Sequence, residues 1–496
     1  MTFLPPLRVI QEHSVGYCES PHKETIVPEL PNIVFVFADQ LRYQSVGYAG
    51  DPKSHTPNLD QLARESTNCI NTTSSCPVCA PYRASLFTGK YASSTGMVIN
   101  ELRMNPNHDS IAHVLNRAGY DTMYIGKWHL WSNQYGNHDN PENSYIPPGP
   151  CRLGFDGFWA AYNFHHHYYG VCYHTNSPEK IPVEDYEPDF QTKMAIDVLK
   201  QATRDDRPFA LFLSYGIPHD PWEVENVPPE FLDLIEGVEF PLPPNYEPLD
   251  DPHADRYAQL SGEDRARLSD WMRVYYAMTA NLDWNVGRLL RALDEVGLSD
   301  HTIFVFTSDH GEMFGAHGRR AKNIFYDEAV RVPFLIRWPR RIPVGRVCDV
   351  CLNSPDLTPT LLGLLELPIP GEMEGMNLSH AILGQPGSEP QAALLQGMGC
   401  TAEWIDGHEW RGLRSKQYTY AIYRSDGLEL LFDNLSDPYQ MSNLVGDGAF
   451  AQVLSNFRLM LASRLEALHD TFEQCTWYRD HWTKDRIILR SAMLLG

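Results

Sequence analysis

The chain has 496 residues, with 63 acidic against 40 basic side chains and a formal net charge of −23. That charge argues against broad binding to nucleic acid or anionic membranes, and an anionic substrate would have to be held by a local cluster of cations. The length allows a large core and more than one domain, the 43% hydrophobic content is ordinary for a soluble globular chain, and no apolar run is long enough to span a membrane.

Met1 to Glu29 carries no apolar core of signal-peptide length. The expectation is a cytoplasmic protein, or one whose leader precedes this sequence. Asn32-Ile-Val-Phe-Val-Phe-Ala38 then reads as a buried strand, followed at once by Asp39-Gln40. Pro57 to Ser66 has Leu59, Leu62 and Ala63 on one helical face, Pro57 suits a first turn, and Thr56 suits its cap. Cys79-Ala-Pro-Tyr-Arg83 opens another probable helix, and Ile111 to Ala118 is a further helical stretch.

Tyr120 to Ile125 reads as the next strand and runs into Gly126-Lys127-Trp128-His129. Asn163-Phe-His-His-His-Tyr-Tyr169 is an aromatic, histidine-rich insert that suits a metal-binding tract, a wall facing a sugar, or a plain surface loop. Phe209 to Tyr215 is a strand before Ile217-Pro218-His219-Asp220. Glu223 to Tyr257, rich in proline and acids, reads as a surface excursion. Asp264 to Val296 is a long amphipathic helix with Trp271, Val274, Tyr275, Met278, Leu282, Val286, Leu289 and Leu293 facing the core. Thr302 to Thr307 is a strand before Ser308-Asp309-His310-Gly311, with His317 and Lys322 beyond, and Val332 to Arg337 is a fifth.

Pro368 to Ala392 is linker-like in its proline and glycine content. Beyond it, Trp410 to Arg414, Gln417 to Tyr423 and Leu428 to Phe432 read as antiparallel strands, with Asp426-Gly427 as a hairpin turn and Ala451 to His469 as a closing helix. The fold class is therefore α/β. A large, mostly parallel sheet is sandwiched by helices over 1–385, and a smaller C-terminal α+β subdomain with an antiparallel sheet fills 386–496.

In such folds chemistry collects beyond the carboxyl ends of the strands. The polar clusters after four of these strands fall at that end, and they are a coherent set. Asp39, Gln40, Asp309 and His310 form a candidate metal site. Two carboxylates and an amide oxygen suit calcium or magnesium, and the imidazole also admits manganese. Asp39 and Asp309 each suit the simpler role of capping a following turn as well. The ten cysteines are too few for a disulfide framework. The pairs Cys76/Cys79 and Cys348/Cys351 lie too far apart in sequence for a compact zinc ribbon.

Cys79 to Gly89, Gly126-Lys-Trp-His129 and Ser308-Asp-His-Gly311, in this order, resemble the formylglycine-dependent sulfatases of the alkaline phosphatase-like superfamily, most of all carbohydrate sulfatases. The resemblance extends to Gly315-Ala-His317-Gly318, Lys322 and the ending Leu431 to Pro438. It implies that a formylglycine-generating or sulfatase-maturating enzyme converts Cys79 to formylglycine (3-oxoalanine), whose hydrate attacks sulfur. It implies calcium held by Asp39, Gln40, Asp309, His310 and residue 79. Gln40 stands where many relatives carry a second Asp, and His310 where many carry Asn.

By the same resemblance, Arg83 holds the hydrate, Lys127 and Lys322 bind sulfate oxygens, His129 is a base toward the second hydroxyl, and His219 protonates the leaving alcohol. His317 fits as a supporting residue. The implied activity is a sulfuric ester hydrolase acting on a sulfated saccharide. The alternatives are a formylglycine-dependent phosphodiesterase or phosphonate monoester hydrolase, which Lys127 and His129 disfavour, and a non-catalytic glycan-binding relative.

Overall fold

The computed structural model of the chain describes residues 30–133, 136, 141–202 and 207–494. The reading of Met1 to Glu29 lies outside them. Ten strands precede the C-terminal sheet: β1 (Asn32–Ala38), β2 (Thr67–Cys69), β3 (Asp121–Lys127), β4 (Trp159–Tyr162), β5 (Val171–Tyr173), β6 (Ile181–Val183), β7 (Phe209–Ser214), β8 (Thr302–Ser308), β9 (Phe334–Arg337) and β10 (Arg346–Cys348). Eight of them form one sheet in the order β10-β2-β9-β8-β1-β7-β3-β4, while β5 and β6 pair separately. β1 lies at its centre, parallel to β7 and β8, and every residue of these three strands is buried. Both faces of such a strand meet helices, so both must be apolar and the strand reads as a continuous run.

The fifth expected strand corrects one detail. β9 runs antiparallel to both of its neighbours, β8 and β2. A parallel neighbour needs a crossover that carries the chain back to the starting edge. After β8 the chain stays at the carboxyl end and makes only the short helix Asp327–Val330 before turning down. The return strand is therefore antiparallel.

Helices α1 (Pro57–Arg64), α2 (Cys79–Thr88), α3 (Ile111–Arg117), α4 (Glu187–Ala202), α5 (Gly262–Glu295) and α6 (Ser354–Leu364) accompany the sheet. The expected stripe on α5, from Trp271 to Leu293, is buried in the main core. Part of the excursion before α5 joins that core: Val227, Phe231, Ile235 and Phe240 are buried there. Thr56 does not cap α1 with its side chain; its hydroxyl accepts from Gly47 N and donates to Asp60. The first-turn N–H groups of Asn58 and Leu59 instead donate to Asp283 of α5. A buried carboxylate from another helix thus meets the need for acceptors at the α1 N-terminus.

Every residue of α2 is buried. It ends at Gly89 in the left-handed conformation, and Gly89 O accepts from Glu374 N and Gly375 N. The proline- and glycine-rich stretch after residue 368 is accordingly pinned rather than free. A Cβ on Gly375 would lie 2.0 Å from the Pro355 carbonyl oxygen, so glycine there permits the close approach.

Strands β11 (Ala392–Gly397), β12 (Trp410–Ser415), β13 (Tyr418–Tyr423) and β14 (Glu429–Asp433) form the antiparallel sheet, with Gly427 in the left-handed region of the expected hairpin. One face packs Leu394, Leu413 and Leu431 against α7 (Ala451–Ala467) through Leu454, Phe457 and Leu461. The other packs Leu395, Trp410 and Phe432 against Phe325 and Tyr326. Arg411 of β12 makes a paired contact with Asp470 beyond α7, Nε–Oδ2 2.7 Å and Nη2–Oδ1 3.0 Å, with both side chains 0% exposed. Replacing Asp470 by Ala strands a buried guanidinium. The expected cost is about 3–5 kcal/mol, read as a lowered unfolding temperature by calorimetry, whereas an unchanged transition would show that the pair contributes nothing.

Candidate active site

The β1–β8 register sets Ala38 beside Ser308. The next residues, Asp39 and Asp309, therefore emerge side by side at the carboxyl end of the sheet. The chain turns sharply at Gln40, whose φ is +71°. That left-handed turn is costly for a residue with a side chain. It is held by Gln40 N donating to Asp309 Oδ1 at 2.9 Å, Gln40 Nε2 donating to Glu312 Oε2 at 2.6 Å, and the Tyr275 hydroxyl donating to Gln40 O at 2.8 Å. The long helix thus reaches the site through Tyr275.

Cys79 stands at the start of α2 and points at the same place. Its Sγ is 3.2 Å from His310 Nε2 and 3.8 Å from Asp39 Oδ1. Donor atoms of Asp39, Cys79, Asp309 and His310 all lie within 4.8 Å of one another, and all four residues are buried. Asp309 Oδ1 takes the N–H groups of Gln40 and His310, but its Oδ2 is buried with no hydrogen-bond partner, 3.5 Å from Arg83 Nη2. A buried carboxylate oxygen without a partner is costly unless a cation completes it. The donor set, two carboxylates with an imidazole, fits a divalent cation. Burial and the neighbouring Asp39 push the Asp309 carboxyl up. Burial alone would also raise Asp39, but Lys127, His219, Arg83 and His310 outweigh it and hold Asp39 well below the usual carboxylate range. Burial lowers His310 to about 4, so its nitrogen is neutral and able to ligate near neutral pH.

Three cations surround this group. Arg83, one turn along α2 from Cys79, donates through Nη1 to Lys127 O and Ser214 Oγ, both at 2.7 Å, and through Nη2 to Asp39 Oδ2 at 3.3 Å. Lys127 Nζ is 2.6 Å from Asp39 Oδ2. Lys322 Nζ donates to Gln40 Oε1 at 2.7 Å and to His219 Nε2 at 2.8 Å. Gly126 precedes Lys127 at a φ of +110°, where a Cβ would lie 2.0 Å from Ser214 O. Only glycine lets β3 pass β7 closely enough to aim Lys127 inward.

The two histidines sit on either side. Burial, then Lys127 and Arg83, hold His129 well below its ordinary value, and burial with Lys322 does the same to His219. The Lys322 ammonium has only protons to give, so His219 Nε2 accepts and Nδ1 carries the ring hydrogen. That hydrogen faces Asp220, with Nδ1 3.0 Å from its carbonyl oxygen and 3.1 Å from Oδ1.

The aromatic, histidine-rich insert is built onto both histidines. Asn163 O accepts from His129 N, and the Phe164 ring lies 4.5 Å from the His129 ring and 4.7 Å from Lys127 Nζ. The His166 ring is 4.6 Å from that of His219, and the Tyr168 hydroxyl donates to the His219 carbonyl. The insert therefore borders the site and is not a loop remote from it. His317 is placed elsewhere, stacked on Tyr326 at 3.7 Å with Nε2 near Asn245 Nδ2 and Tyr439 O.

All of the expected site residues, Asp39, Gln40, Cys79, Arg83, Lys127, His129, His219, Asp309, His310 and Lys322, converge here. Sequence reasoning missed Ser214, Glu312, Tyr168 and Asp220 as residues that hold the others. Asp220 adjoins His219 and Glu312 adjoins the Ser-Asp-His-Gly run, which was the available signal; Ser214 and Tyr168 carry none. The C-x-x-C pairs do not act as pairs. Cys348 lies opposite Cys69 in the β10–β2 register, and Cys76 shares no metal cluster with Cys79 among the described residues.

The family model described as Sulfatase matches residues 31–367, and one described as N-sulphoglucosamine sulphohydrolase, C-terminal, matches residues 315–469. The chain belongs to the sulfatase family. It is 35% identical to an ulvan-active sulfatase of Formosa agariphila over 96% of this chain and 90% of that one. It is 30% identical to an endo-4-O-sulfatase of Bacteroides thetaiotaomicron over 95% of this chain and 97% of that one. A structure solved in complex with its substrate D-glucosamine-2-N,6-O-disulfate shares the fold at a TM-score of 0.77 and 24% identity, over 89% of this chain and 99% of that one. This sulfatase is a hydrolase of the alkaline phosphatase-like fold, and a sulfuric ester needs the features found: clustered cations in a strongly acidic chain, and a donor set for a metal. Removing one donor should weaken the hold of this group on a divalent cation. Asp309→Asn is expected to reduce divalent-cation affinity by at least about tenfold by titration calorimetry, the scale on which even groups behind the ligands act. Unchanged affinity would place the metal elsewhere.

Proposed function

We propose that this sulfatase removes sulfate from a sulfated saccharide, with residue 79 acting as a formylglycine after maturation and a calcium ion held by Asp39, Gln40, Asp309 and His310. The observation that carries the reading is the meeting of Arg83, Lys127 and Lys322 around the Asp39–Cys79–Asp309–His310 group. Cys79 Sγ stands for the side chain that would be converted, and it faces both the metal donors and the cations. When present, the metal supplies a Lewis acid and the converted residue 79 supplies a hydrated aldehyde oxygen able to attack sulfur. Magnesium and manganese suit the same donors, and calcium is the ion that the resemblance to formylglycine-dependent sulfatases implies.

The chain's own residues account for the rest. Lys127 and Lys322 offer ammonium protons to sulfate oxygens, and Arg83 is fixed by Ser214 and the Lys127 carbonyl so that its charge stays behind residue 79. His129 is neutral and can accept a proton from residue 79. His219 is also neutral, so it does not donate from Nε2 as it stands. The proton that reaches the leaving alcohol comes from the Lys322–His219 hydrogen bond, in which Lys322 holds it and His219 can take it up. The acid is therefore a pair, a refinement of the single role expected for His219.

The saccharide is supported by the ulvan-active and endo-4-O relatives and by the wall of Phe164 and His166 beside the acid and base. An aromatic face and imidazoles suit a sugar ring and its hydroxyls. Maturation by a formylglycine-generating enzyme is part of the proposal.

Mass spectrometry of the peptide carrying residue 79, from protein co-produced with such an enzyme, should find an aldehyde in place of the thiol. A thiol in fully matured material would end the mechanism. His219→Ala is expected to lose about 10²–10⁴-fold on sugar sulfates and far less on aryl sulfates with acidic phenols, because a good leaving group needs no proton. Equal losses on both substrates would remove the acid from this pair. Faster turnover of phosphate diesters than of sulfate esters would favour a phosphodiesterase instead.

A further inference from the structure

The insert that walls the site also brings a third donor to the acid. Donor atoms of His166, His219 and Asp220 lie within 4.8 Å of one another. His219 Nδ1 and Asp220 Oδ1 are 3.1 Å apart, and the His166 ring is tilted against the His219 ring with centroids 4.6 Å apart. Two imidazoles and one carboxylate are a different donor set from the oxygen-rich cluster around Asp39. They suit a borderline cation, zinc above all, with a fourth position left for water.

The geometry is close to what zinc needs. Bonds of about 2.0–2.2 Å in a tetrahedral site put neighbouring ligand atoms roughly 3.3 Å apart. The His219–Asp220 pair already meets that spacing. His166 must close by no more than about 1.5 Å to reach it, a small rotation for a side chain on a loop. The charges permit it as well. Burial would raise Asp220, but His219, His166, Lys322 and Arg320 outweigh it and hold its carboxylate ionised.

We propose that His166, His219 and Asp220 form a zinc site that switches this sulfatase off. The consequence follows from proton placement. A metal on Nδ1 leaves the ring hydrogen on Nε2, where it faces the Lys322 ammonium. Two donors cannot share one hydrogen bond. Zinc therefore breaks the Lys322–His219 bond of 2.8 Å and keeps His219 from taking up a proton. The site itself does not depend on the sulfatase mechanism; only the loss of activity rests on the function proposed above.

The test uses matured enzyme kept in excess calcium, with zinc chloride as the probe. Equilibrium dialysis is expected to find an additional zinc in the wild type compared with His166→Phe, which keeps a ring against His219 but has no donor. Zinc is expected to slow turnover of a sugar sulfate by about 100-fold in the wild type, the scale of general-acid catalysis. A zinc-selective chelator should restore it. The rate ratio with and without zinc, taken within each protein, should return toward one in His166→Phe and in Asp220→Asn. Equal zinc stoichiometry in wild type and both variants, or the same loss of rate in all three, overturns the proposal. Should the protein turn over no sulfate ester, the dialysis and the visible spectrum of bound cobalt still decide the site. Failure of the sulfatase reading and failure of the zinc site are thus told apart.

Discussion

Asp39 is the point on which the site turns. Its carboxylate is fully buried at the end of the central strand, and burial by itself would protonate it. It stays ionised because Lys127 lies 2.6 Å away and Arg83 3.3 Å away on the same oxygen. The other oxygen faces Cys79. One side chain therefore links a β-strand, the helix that carries Cys79, and the lysine of the next parallel strand but one. Breaking any of these partners leaves a buried charge unmatched, which costs several kcal/mol.

The sheet makes this arrangement reachable. Parallel strands deliver their following residues to a single edge, and β1, β3, β7 and β8 each release a polar cluster there. The residues between the clusters do less visible work. Ser214 holds Arg83, Tyr275 from the long helix holds the Gln40 turn, and Tyr168 holds the His219 carbonyl. The strained turn at Gln40 persists because three hydrogen bonds from different elements fix it.

The net charge of −23 is reconciled with an anionic substrate by the same geometry. The far field is repulsive, but Arg83, Lys127 and Lys322 are buried beside one another, where interactions are little screened. The chain places its cations where they act and leaves its acids largely outside. Coupling of Lys322 to His219 adds a further consequence: one of these cations is held by an imidazole as well as by Gln40.

Much was legible in the residues alone. The apolar runs marked the strands because buried parallel strands must be apolar on both faces, and the stripe on α5 marked a helix because its period is helical. The clusters Asp39-Gln40, Gly126 to His129, Ile217 to Asp220 and Ser308 to Gly311 were identifiable because each follows a strand. The direction of β9, the capping of α1 by Asp283 and the partner of Cys348 were not, since each depends on which segments meet across long stretches of chain. The same limit applied to the insert at residues 163–169. Its composition suited a wall, a metal tract or a loop. Folding set Phe164 against His129 and His166 against His219, and that contact, a matter of distance in space rather than order in sequence, brought the insert to the site.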